Sequence, residues 1–191
     1  MCRILVADGM NKEQIENLKE LGFDVIDEYY DGEELGLMCQ DVDALVIRSK
    51  NKITKEIKKY IDRIDNLKLN QLVKAIFEEH LDKLTIYPAA SKNHHEYVSG
   101  LAHHTYSMLK IADALYTLYP TLNKDLLFAG ITLHDLGKIV ELSGPVVPEY
   151  TIEGKLLGHI SISQAMIKET ADKMHIEGEE VTLLQHMILS H

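Results

Sequence analysis

The rhythm of apolar and polar positions changes once along the chain, near Ile53. Before that point short apolar runs alternate with stretches of helical periodicity. CRILVAD is an apolar run ending at Asp8 and predicts a strand. NKEQIENLKELG follows, with Ile15, Leu18 and Leu21 at helical spacing and Gly22 placed as a C-terminal cap. FDVIDEY predicts a second strand. DGEELGLMCQD predicts a short helix, with Asp31 as its cap and Glu34 three positions on. DALVIRS predicts a third strand. The order β-α-β-α-β points to parallel pairing. Such a sheet, with two helices, covers one face well. The other face leans on the helical part or on a second copy of the chain, as in a homo-oligomer.

After Ile53 strand alternation stops. Residues 53–87 read as two or three helices with a break near Asn66, ended by Pro88. Residues 100–119 read as one amphipathic helix stopped by Pro120, and residues 124–142 as another closed by Gly144 and Pro145. PVVPEYTIEGK, residues 145–155, reads as a loop, and helices are expected over 156–174 and 179–190. The expected fold class is mainly α: a helical bundle preceded by a small β-α-β-α-β fragment.

Composition narrows the function classes. The net charge is -10, and neither part offers the basic surface of a strong nucleic-acid binder. Cys2 and Cys39 are too few for a disulfide framework or a thiolate zinc site. No stretch reaches the roughly 18 apolar residues of a membrane span, and acids arrive too early for a signal peptide. The default placement is cytoplasmic, with no membrane partner.

The histidines change the picture most. All ten lie at residue 80 or later. Imidazoles on several helices can converge at the centre of a bundle, as bundle metal sites do. His134 and Asp135 stand side by side in the apolar run LLFAGITLHDLGKIVEL. A lone His–Asp pair is more often a hydrogen-bonded pair in a core. Here His104, His159 and His191 accompany it, and imidazole with carboxylate suits manganese, iron, nickel or zinc, one ion or two. A metal would also compensate the buried carboxylate, which left unpaired costs several kcal/mol.

Three segments carry a resemblance: GLAHHTYSM, LHDLGK and LLGHI, in that order. Residues from about 57 to 191 resemble the HD superfamily of metal-dependent phosphohydrolases. More specifically, they resemble the HD domain of bacterial 3'-to-5' exoribonucleases that join an OB domain to an HD domain. The resemblance implies His104 as first metal ligand, His134 and Asp135 as the central pair with Asp135 bridging, His159 as the next ligand, and His191 as the first histidine of a SHHG stretch. His103 falls at a variable position. His186, five residues before His191, faces about 140° away from it on a helix, so its assignment stays open. His94 and His95 are expected at the substrate entrance, and Lys138 either reaches a phosphate or is a surface lysine. Asp135 and Lys138 are the expected catalytic residues. The implied reaction is divalent-metal-dependent hydrolysis of a phosphate ester, with nucleotides or the 3' ends of RNA as candidate substrates. The family's final aspartate ligand has no counterpart before His191, and the OB domain has none either. The expectation is therefore a C-terminally incomplete HD-type domain over 57–191 with no dedicated nucleic-acid-binding domain. It would hold one metal tightly and a second weakly, with low turnover. The other reading is a non-catalytic helical metal-binding or interaction module with an incomplete HD site.

Residues 1–56 resemble the start of D-isomer-specific 2-hydroxyacid dehydrogenases, in the phosphoglycerate dehydrogenase branch. ILVADGM and ALVIRSKNKITKE carry this likeness. It implies a partial α/β, flavodoxin-like segment with Arg48 and Ser49 toward a cleft. No GxGxxG occurs in the chain, so no nicotinamide cofactor is expected.

Overall fold

The computed structural model describes residues 2–7, 10–28, 38, 41–46, 50–89, 100–145 and 148–191. The chain forms two compact units, Met1–Asn51 and Lys52–His191. The whole is mainly α, a helical bundle preceded by a small sheet-and-helix fragment.

In the first unit, strands β1 (Arg3–Val6), β2 (Asp24–Asp27) and β3 (Ala44–Val46) make a parallel sheet of order β2-β1-β3. Ile4 stands opposite Val25 on one side and Ala44 on the other. Helix α1 (Lys12–Glu20) crosses between β1 and β2. Asn11 caps its start by accepting from the Glu13 N–H. After its end Gly22 takes φ +89°, the left-handed conformation that terminates helices. Ile15 of α1 packs on Ile4, Val6 and Val25. The helix expected over residues 31–41 falls almost wholly outside the described residues, as do Arg48 and Ser49.

From Lys50 onward the chain forms α2 (Lys50–Ile61), α3 (Leu67–Glu79), the short α4 (Leu81–Leu84), α5 (Gly100–Leu118), α6 (Lys124–Leu133), the short α7 (Lys138–Glu141), α8 (Ile152–Lys173) and α9 (Glu179–Leu189). Leu72, Ile76, Leu109, Phe128, Ile167 and Leu184 are fully buried in one continuous core. Helix α6 lies at its middle, packed on α3, α5 and α9, while α8 packs on α7 and α9. Among the described residues no helix is long and apolar enough to cross a membrane.

The break expected near Asn66 is a designed start. Asn66 Oδ1 accepts from the Leu69 N–H at 3.1 Å. The Asp125 carboxylate, at the head of α6, accepts from the Asp65 and Asn66 N–H groups at 3.0 and 2.7 Å. Two helix starts are thus tied through one acid. Asn66→Ala is expected to lose the cap, about 1 kcal/mol. A thermal melt would show it as a fall of roughly 2–4 °C.

Two boundaries differ from those read in the sequence. The helix expected over 124–142 is two helices separated by a turn at residues 134–137. A continuous helix would send the Gly137 N–H to the Leu133 carbonyl. Instead it donates to Ser163 Oγ of α8 at 2.7 Å. The following amides close tighter i→i−3 bonds, Lys138 to Asp135 and Ile139 to Leu136. The other difference is α8, which begins at Ile152 rather than 156. Thr151 caps it by accepting from the Gly154 N–H at 2.9 Å. Gly158, with φ +70° and ψ 156°, interrupts α8 just before His159.

Candidate metal centre

The turn after α6 is where the chemistry collects. His134 closes α6 and Asp135 follows in the turn, 6% and 3% exposed. They are not adjacent residues of a helix interior, as the sequence suggested. Their direction is set by the turn, which Ser163 holds from above. Its hydroxyl accepts from the Gly137 N–H and donates to the His134 carbonyl at 3.3 Å. Ser163 is completely buried, so these bonds are shielded from water.

Four histidines surround Asp135. His104, one turn into α5, places Nε2 3.2 Å from His134 Nε2 and 3.6 Å from Asp135 Oδ2. His134 Nε2 lies 3.3 Å from the same oxygen. His159, the first residue after the Gly158 break, places Nε2 3.5 Å from Asp135 Oδ1. The His191 ring stands edge-on to that of His134 with centroids 4.9 Å apart. Two donor groups result, His104–His134–Asp135 and Asp135–His159–His191, each with its ligand atoms within 4.8 Å of one another. Asp135 belongs to both. This is a clustered His/His/Asp site capable of coordinating a divalent metal.

The protonation pattern suits a cation. His134 Nδ1 lies 2.8 Å from the Ile131 carbonyl, which only accepts. In the neutral imidazole the ring proton therefore sits on Nδ1, and Nε2 turns a lone pair toward His104 and Asp135. Asp135 Oδ1 is buried and has no hydrogen-bond partner. An orphaned carboxylate oxygen facing ring nitrogens is what a bound cation would satisfy and what a finished core would avoid. Asp135 Oδ2, by contrast, accepts from Lys138 Nζ at 2.7 Å. Burial pushes the Asp135 carboxyl up, but the Nε2–H and positive charge that His134 offers when protonated, together with the Lys138 ammonium, outweigh it and hold it well below the usual carboxylate range. It is thus an anion at any ordinary pH. Partial burial, then the neighbouring His134, lowers the His191 imidazole below its ordinary value, favouring the neutral form that ligates metals.

The remaining candidates separate clearly. His186 is exposed on α9, with its ring 3.5 Å from Ser190 Oγ, outside both donor groups. Lys138 points at Asp135 and is 16% exposed. His94 and His95 lie outside the described residues. Three contributors were not singled out in the sequence. The Ile131 carbonyl orients His134, Ser163 pins the turn, and Glu141 accepts from His159 through Oε1. Glu141 left one trace there, an acid inside the apolar run KIVEL. Beside His134 and His191 a cavity of about 150 Å³ opens, walled by Met108, Ile131, Met187 and Ile188.

Residues 101–191 match the family model described as HD domain. The chain is also 50% identical over 142 residues to the 3'-5' exoribonuclease YhaM of Geobacillus sp. (strain WCH70), covering 74% of this chain and 44% of that protein. The chain therefore spans less than half the length of this relative. No solved structure matches. The likeness to the HD domain thus lies within residues 101–191, in the helical bundle.

Proposed function

We propose that residues 57–191 form an HD-type, divalent-metal-dependent phosphohydrolase acting on phosphodiesters of nucleotides or RNA 3' ends in the cytoplasm. Residues 1–56 are, on this reading, a partial α/β segment without cofactor chemistry. The observation that carries the proposal is Asp135. It is a buried anion, shared between two groups of imidazoles, with one oxygen left without a hydrogen bond. The HD-domain match over the same residues and the likeness to an exoribonuclease support the choice of reaction.

His104, His134, Asp135, His159 and His191 are the proposed ligands. A bound divalent ion would supply a water acidified toward neutral pH and a charge to meet phosphoryl oxygens. The chain's own residues prepare the rest. The Ile131 carbonyl keeps the His134 Nε2 lone pair facing the site. Lys138 brings a cation to the site, 2.7 Å from Asp135 Oδ2, where negative charge on a phosphate ester can be met. His94 and His95 are assigned to the substrate entrance.

The test combines metal content with turnover. Purified protein is expected to carry manganese, iron, nickel or zinc by elemental analysis. It is expected to release p-nitrophenol from bis(p-nitrophenyl) phosphate slowly, to stop on chelation, and to resume with Mn²⁺. A folded, metal-loaded protein with no turnover above a metal-only blank would refute the phosphohydrolase and leave a metal-binding module.

A further inference from the structure

We infer that Glu141 is a positioning residue that fixes the tautomer and direction of His159 for metal ligation. The inference rests on the metal reading above. Glu141 ends α7 and is 7% exposed, an unusual place for an acid. Its Oε1 accepts twice from the same residue, from the His159 backbone N–H at 3.0 Å and from the His159 ring Nδ1 at 3.1 Å.

The break in α8 explains the first bond. At Gly158 the backbone leaves helical geometry, so His159 starts a new helical segment and its N–H needs an acceptor outside the helix. A carboxylate there also meets the positive end of the segment's dipole, which offsets part of the cost of burying it. The approach is close on the other side too. The Glu141 carbonyl accepts from the Thr151 N–H at 2.9 Å, and a Cβ on Gly154 would overlap that carbonyl oxygen.

The second bond decides the chemistry. A carboxylate has only acceptor sites, so Nδ1 carries the ring proton. In the neutral imidazole Nε2 is then a lone pair, 3.5 Å from Asp135 Oδ1. In the opposite tautomer Nε2–H would face Asp135 Oδ1, and the pair could close on itself as a hydrogen bond from the imidazole to the carboxylate. Glu141 prevents that closure and leaves two lone-pair atoms facing each other across a gap. With Glu141, His159 has the oriented carboxylate partner that metal-ligating histidines commonly have.

The test uses the 191-residue protein in metal-free and Mn²⁺-titrated forms. In the metal-free wild type, ¹⁵N-resolved ring spectra are expected to show His159 as the Nδ1–H tautomer. Glu141→Gln keeps an acceptor oxygen and is expected to keep that tautomer and most of the Mn²⁺ affinity, read from the free-ion EPR signal. Glu141→Leu is expected to shift His159 to Nε2–H and weaken Mn²⁺ binding by about 10–100-fold. His159→Ala is the reference. If it binds Mn²⁺ like wild type, the assignment of His159 as ligand fails, whatever Glu141 does. If it weakens binding while folded Glu141→Leu does not, the positioning role of Glu141 is overturned. If Glu141→Leu does not fold, the wild-type spectrum alone decides, and an Nε2–H tautomer there overturns the inference.

Discussion

Asp135→Asn is expected to lower divalent-metal affinity by more than about 100-fold, beyond the range seen for residues that only support a ligand. Asp135 is the member common to both donor groups and the only anion among them. The amide keeps its shape but loses the charge, and its NH₂ offers protons where a cation would need lone pairs. The metal-free protein is expected to stay folded, because an amide N–H can donate to His159 Nε2, 3.5 Å away from one carboxylate oxygen in the wild type. The two effects separate in a melting experiment. Metal at 100 times its dissociation constant stabilises the wild type by about 2.7 kcal/mol. That gain is expected to vanish in Asp135→Asn with little change in the metal-free melt. His186→Ala is the control, since its exposed ring lies outside both donor groups. Equal metal loss in the two variants, by elemental analysis of folded protein, would contradict the assignment.

Gly137→Ala is expected to damage both stability and metal binding. A Cβ there would overlap the His159 carbonyl oxygen and stand 2.9 Å from the His159 carbonyl carbon and the Ser163 nitrogen. All three are backbone atoms of α8, so no side-chain rotation relieves the clash. Overpacking against rigid atoms costs about 3 kcal/mol, or a fall in melting temperature of roughly 6–12 °C. Moving α8 away also draws His159 from Asp135, so metal affinity is expected to fall with stability. Gly130→Ala gives the contrast. Its Cβ would meet the Met187 methyl group at 2.9 Å, and that is the free end of a flexible side chain. In a helix alanine is favoured over glycine by about 1 kcal/mol. Gly130→Ala is therefore expected to be near neutral. A melt in which Gly130→Ala loses as much as Gly137→Ala would contradict this account.

Much of the architecture was legible in the linear pattern because the relevant forces are local. Alternating apolar runs predicted β1, β2 and β3 and their parallel sense, and helical periodicity predicted the bundle. Asn66 marked a helix start because an N-cap acts over three residues. The histidines of the cluster were visible as residue types out of place in apolar helices.

The sequence by itself offered the side chains suited to a cation, histidines and an aspartate in apolar surroundings, and the helical bundle around them. It did not determine where α6 ends. His134 and Asp135 sit in a segment whose propensity continues a helix, and the break depends on a hydroxyl 26 residues away, Ser163, taking the Gly137 N–H. Nor could spacing alone reveal that Glu141 meets His159, 18 positions on, or that the Ile131 carbonyl sets the His134 tautomer. Those are tertiary decisions. A backbone donor goes to whichever acceptor the packing brings near, and a buried imidazole takes its proton on the side where an acceptor waits.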